Sequence, residues 1–170
     1  CGYASSATAW TATANFGQRP FAYTPPAGFL SLCTTNLPEP TVLDGGDYFN
    51  AVLWTGDSSA SQAVTGVGFQ PDLVWAKSRP ANSGQDWVDA VRGATKNIQS
   101  SSTAAETTSN TVISFQSDGF TVGDGLGYDI NKSGESVVGW CWKANGAGSS
   151  NTDGTITSTV SASTASGFSI

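Results

Sequence analysis

GVGFQPDLVWAKSR, from Gly66 to Arg79, is the stretch whose reading decides the fold. It bends at Gly68, carries an apolar Phe69 and enters an extended run through Pro71-Asp72. In an extended chain Leu73, Trp75 and Lys77 fall on one side, and Val74, Ala76 and Ser78 on the other. Proline has no amide to give a ladder, so Pro71 suits a strand entrance. A second stretch, ESVVGWCWK from Glu135 to Lys143, has the same character. Its Val138, Trp140 and Trp142 share one side, and Val137, Gly139 and Cys141 the other. The two are expected to be neighbouring central strands of a β-sandwich whose indoles hold the sheets face to face. The expected fold class is all-β, an antiparallel β-sandwich or jelly-roll module with flanking partial domains.

The totals agree with that class. A length of 170 residues suits one domain, or one domain with pieces of its neighbours. Charged residues make up 12% of the chain, about half the usual share. With 20 Gly and abundant Ser, Thr and Ala, the chain reads as turn-rich β structure, and six Trp and eight Phe argue against disorder at its centre. The net charge is −6, histidine is absent and the seven Lys and Arg are scattered. A nucleic-acid surface, which needs clustered basic residues, is therefore not expected. No apolar run approaches the ~20 residues of a membrane span, so no membrane insertion is expected. Cys1, Cys33 and Cys141 form no even framework and no CxxC, and Cys141 reads as a buried strand thiol. No Met occurs, and the chain ends at GFSI inside an apolar run, which leads to the expectation of a segment from a longer polypeptide.

Along the chain, TATANFG alternates like a strand, Pro25, Pro26 and Gly28 force a turn, and Phe29 to Leu32 read as a short buried piece. Residues 34–46, with Pro38, Pro40 and Gly45-Gly46, read as a connector. YFNAVLWT is strand-like, with Phe49, Ala51, Leu53 and Thr55 on one face. GDSSAS reads as a hairpin turn into QAVTGVGF. DWVDAVRGATKNI fits either a helical turn or a strand bent at Gly93. In TVISFQSDGFTVG the turn is Ser117-Asp118-Gly119, with Val112 and Ser114 facing one way and Thr111, Ile113 and Phe115 the other. ANGAGSSN is a linker, after which TDGTITSTVSASTASGFSI alternates again.

These segments resemble known virion proteins. NFGQRPFAYTPPAGFLSLC resembles the C-terminal strands of SPRY-like domains in structural proteins of tailed bacteriophages. TGVGFQPDLVWAKSR, DAVRGATK, SDGFTVG and VVGWCWKA, in that order, resemble a repeated β module that follows such a domain in phage tail-fibre or tail-spike chains, many from cyanobacterial viruses. The resemblance implies that residues 1–33 are the end of a SPRY-like jelly roll and 34–46 a connector. Residues 47–147 would then be a β-sandwich module, and 148–170 a linker and the start of a second one. It also implies a structural role on the virion, in tail or capsid surface, with other copies of the chain and other virion proteins as partners. Host attachment and three-fold assembly fit that role. A capsid decoration protein and a secreted carbohydrate-binding module are the alternatives.

The residues themselves give little equipment for turnover. There is no His and no GxSxG elbow, so no catalysis and no cofactor are expected. Asp86 and Asp89 flank Trp87 like a glycosidase pair, yet residues so placed also cap turns or pair with Arg92, and Asp89, Arg92 and Lys96 could form an ion cluster. Asp118, Asp124 and Asp129 lie in Gly-rich loops and are the calcium candidates, although aspartate before glycine is also turn chemistry. Indoles on exposed β surfaces stack on sugars, which makes Trp87, Tyr128 and Trp54 the glycan-binding candidates. For Trp54, Trp75, Trp140 and Trp142, core packing is the simpler reading.

Overall fold

The computed structural model describes residues 11–81, 85–124 and 130–170. The chain divides into two compact units, Cys1–Pro40 and Thr41–Ile170. In the first, the described residues contain a single 3-10 turn, Thr34–Asn36, and no strand. The strand expected in TATANFG and the buried piece expected at Phe29 to Leu32 are therefore not formed. Phe29, Leu30 and Leu32 are exposed instead. A strand needs a partner for its backbone groups, and no strand lies among the described residues of this unit to provide one.

The second unit is all-β, with antiparallel sheets in a sandwich. Its larger sheet contains β1 (Phe49–Thr55), β3 (Leu73–Ser78), β4 (Asp86–Asp89), β5 (Lys96–Gln99), β6 (Thr107–Thr108) and β9 (Ser136–Trp142), in the order β1-β9-β3-β4-β5-β6. The smaller sheet is β2 (Gln62–Thr65), β7 (Val112–Gln116) and β8 (Gly119–Val122), in the order β2-β8-β7. Two short hairpins follow, β10 (Ser149–Asn151) with β11 (Ser158–Val160), and β12 (Ala162–Ser163) with β13 (Phe168–Ser169). The segment 86–99 resolves as two strands around a turn, with no α-helix.

The two stretches that define the fold do pair, antiparallel, from Leu73↔Trp142 to Ser78↔Val137. Alternation then assigns the faces. Val74 and Ala76 of β3, Val137 and Cys141 of β9, Val52 of β1 and Val88 of β4 point inward. There they meet Val64, Val112, Phe120 and Val122 of the smaller sheet, with Val67, Phe69 and Ile130 closing the core. The expectation that the indoles lie between the sheets is corrected here. Trp75, Trp140 and Trp142 share the parity of Leu73 and face outward, half-buried. Of the strand indoles treated as core, Trp54 alone packs on the interior, its ring edge-to-face with Phe120 at 5.6 Å. Sheets pack about 10 Å apart, and the small inward residues of β3 and β9 leave room for that ring. A Cβ on Gly139 would lie 3.0 Å from it.

Three further features depart from the expected pattern. GDSSAS is no hairpin turn: β1 pairs with β9 and β2 with β8, so the segment crosses from one sheet to the other. It is pinned there by Asn131, whose Oδ1 accepts from the Asp57 amide and whose carbonyl accepts from the Ser58 amide. Phe115 lies on the side of Val112, not opposite it, because the β7–β8 register shifts between Val112 and Ser114. An extra residue in a bulge turns the following side chains over. Finally, the chain end at Phe168 to Ile170 lies against the large sheet, with Phe168 stacked on Trp142 at 6.2 Å between ring centroids.

Candidate functional site

The outward face of the large sheet gathers Trp75, Trp87, Trp140 and Trp142. Cross-strand register lines up Ala51, Trp140, Trp75, Trp87 and Ile98 in one row across five strands. Adjacent rings touch along it, Trp140 and Trp75 at 4.9 Å and Trp75 and Trp87 at 5.7 Å between centroids. The next row carries Phe49, Trp142, Leu73 and Asp89. Directly opposed aromatic pairs stabilise a sheet by roughly 0.5–1.5 kcal/mol each beyond their buried area, so the row is both a brace and a surface.

Where these rows meet the C-terminal hairpin there is a cleft of about 500 Å³. Leu73, Trp75, Trp87, Ile98 and Trp142 form its floor and walls, Phe168, Ser169 and Ile170 one rim, and Asp89 with Arg92 its polar corner. The corner is rigid. Asp89 accepts from Arg92 Nε at 2.6 Å and from the Arg92 amide at 2.8 Å, and Arg92 Nη2 also donates to the Trp87 carbonyl at 3.3 Å. Glu106 approaches Arg92 Nη1 at 3.9 Å. The expected cluster of Asp89, Arg92 and Lys96 therefore forms with Glu106 in place of Lys96, whose Nζ bonds Thr108 Oγ1 at 2.9 Å. Three buried donors on cleft-lining side chains, Trp75 Nε1, Trp87 Nε1 and Arg92 Nη1, have no hydrogen-bond acceptor among the described residues.

The glycosidase-like pair is not assembled. Asp86 and Asp89 lie on opposite faces of β4, since odd spacing in a strand reverses the face. Asp86 is 1% exposed on the inner face and accepts from Asn97 Nδ2 at 2.7 Å. Burial pushes its pKa up to about 6, and the Asn97 and Gln99 side chains pull the other way by less. Of the glycan candidates, Trp87 lines the cleft. Trp54 is committed to the interior, with its indole N–H donated to the Ile130 carbonyl at 3.0 Å, and Tyr128 lies outside the described residues. Of the calcium candidates, Asp118 accepts from the Gly66 and Gly68 amides at 3.1 and 2.7 Å. Asp124 accepts from Asn110 at 3.3 Å, and Asp129 is outside the described residues. Among the described residues no three acidic or Cys side chains converge.

A family recorded as a domain of unknown function, DUF7483, matches residues 44–170. The chain belongs to the DUF7483 family. That match takes in both sheets, the cleft and the C-terminal hairpins of the DUF7483 domain as one continuous stretch. No curated protein and no solved structure matches the chain.

Sequence reasoning selected Trp87, Asp89 and Arg92 but missed Leu73, Trp142 and Phe168 as their neighbours. Parity alone pairs Leu73 with Trp75. Nothing local signals that Phe168 returns to cover Trp142.

Proposed function

We propose that this DUF7483 domain is a non-enzymatic structural module of a virion, part of a phage tail fibre or related appendage, and that its outer aromatic face contacts a glycan on the host surface. The observation that supports this reading most is the row of three touching indoles ending in a cleft whose charged groups are already paired. Such a face offers aromatic stacking surface, which suits the apolar side of a sugar ring. Asp89 is locked to Arg92 and Asp86 faces the other way, which leaves contact rather than proton transfer as the chemistry of the face. Self-association and neighbouring virion proteins complete the proposed partners. The segment 1–33 as the end of a SPRY-like domain, and 148–170 as the opening of a further module, belong to the same proposal.

A secreted carbohydrate-binding module draws on the same indole row and is the second reading. Immunogold labelling with antibody to the purified chain, together with glycan-array binding of wild type and Trp87→Ala, separates the two. Tail labelling with array binding that falls about tenfold or more in the variant is the expected result. Labelling of capsid alone moves the domain to a decoration role. Binding without any virion labelling favours the secreted module, and array binding unchanged in the variant removes the aromatic face from the proposal.

A further inference from the structure

Strand β1 is an outermost strand of the large sheet. Its sequence FNAVLWT has no charge and no proline, and it pairs with β9 without interruption from Phe49↔Trp142 to Thr55↔Ser136. The other edges are managed differently. β6 has two residues, β2 has four, and β7 carries the register shift. Short length, charge and bulges are the usual means of blunting an edge, and β1 uses none of them.

The backbone of β1 specifies what the edge can accept. The Lys143 amide donates to the Tyr48 carbonyl and the Gly56 amide to the Glu135 carbonyl. Alternation along an antiparallel pair then turns the groups of Phe49, Ala51, Leu53 and Thr55 away from the sheet. Two of these are already engaged, the Ala51 amide with Asn50 Oδ1 at 2.9 Å and the Thr55 carbonyl with Gln62 Nε2 at 2.8 Å. The amides and carbonyls of Phe49 and Leu53 remain open among the described residues. Their side chains are exposed as well, at 43% and 67%.

We infer that β1 is the edge through which two copies of the chain associate, antiparallel about a two-fold axis at Ala51, with Phe49 of one copy opposite Leu53 of the other. The pattern around Ala51 is its own complement. It has an apolar residue with open donor and acceptor on each side, two positions away, as an isologous contact requires. Each Phe49–Leu53 pair exchanges two backbone hydrogen bonds and sets ring against isobutyl group on the outer face. Sliding by two residues, so that Ala51 meets Leu53, places Phe49 against the occupied Thr55 and Asp47 against Asp57, like charge on like charge. The inference gives a surface to the self-association in the proposed function. It reads oligomeric state alone, so its failure leaves the virion assignment to the labelling experiment.

Sedimentation of the full 170-residue chain tests it. Wild type should reach twice the monomer mass by about 100 µM, and Leu53→Lys should weaken association by about tenfold or more while circular dichroism is unchanged, because the side chain is exposed. With Cys1 and Cys33 replaced by Ser, oxidised Ala51→Cys should give a covalent dimer and Thr55→Cys should not. A monomeric wild type, a trimer, association indifferent to Leu53→Lys, or equal cross-linking at both positions overturns the inference.

Discussion

Asp86 is the residue whose perturbation most directly tests the interior of this sandwich. Its Oδ2 and the Asn97 Oδ1 are both buried acceptors with no donor among the described residues, while Asn97 Nδ2 serves the other Asp86 oxygen. Protonation keeps Asp86 neutral in this buried place, whereas ionisation leaves a charge with no cation hydrogen-bonded to it among the described residues. The carboxyl titrates at 3.8 when solvated and near 6 when folded. The folded state holds the proton more tightly, so this contribution to stability is complete below 3.8 and is lost as pH rises through about 6. Linkage over that interval comes to at most about 3 kcal/mol. Asp86→Asn keeps the position neutral at every pH without changing volume. In urea titrations followed by tryptophan fluorescence, the variant should match wild type near pH ~4 and exceed it by up to ~3 kcal/mol above pH ~7. A difference that stays flat over that range, or a variant that is less stable at neutral pH, would refute the reasoning.

Other expectations follow from single contacts. Gly119 has φ +152° and a Cβ there would meet the Val64 carbonyl oxygen, so Gly119→Ala should destabilise the β2–β8 pairing by about 3 kcal/mol, read as a lowered urea midpoint. Asp89→Ala should cost about 2 kcal/mol by releasing Arg92, and a midpoint equal to wild type would show that the corner is not holding β4. The Cys141 thiol is pushed up to about 12 by burial, whereas hydrogen bonds from Ser31 and then Thr35 hold Cys33 below the ordinary thiol range. With Cys1 replaced by Ser, one thiol should react with Ellman's reagent in the native chain, at a pH below that of a free thiol. The second should react only after denaturant is added, and two native reactive thiols would contradict the burial of Cys141.

The strand periodicity of 73–78 and 136–142 was legible because alternation is local, and so was their exit into charge and loop. Trp87, Asp89 and Arg92 could be selected for the same reason, since three residues around one turn are already neighbours. The bulge between Val112 and Ser114 was not legible, because the extra residue exists only relative to a partner strand. Exchange of Glu106 for Lys96 at Arg92 was hidden likewise, since it depends on how β6 returns beside β5. The segment TATANFG reads as a strand by pattern, yet pattern supplies no partner to pair with.

By itself the amino-acid sequence determined that this chain is built of antiparallel strands, which residues of each strand share a side, and that Cys141 sits on a small, apolar side. It did not determine which side is the interior. Alternation divides a strand into two faces without ranking them, and the bulkier, more aromatic face looked like the core. Only the tertiary structure decided otherwise. Between sheets about 10 Å apart the smaller side chains Val74, Ala76, Val137 and Cys141 fit alongside Trp54 and Phe120, and Trp75, Trp87, Trp140 and Trp142 were left on the outside, where the C-terminal hairpin turns their face into a cleft.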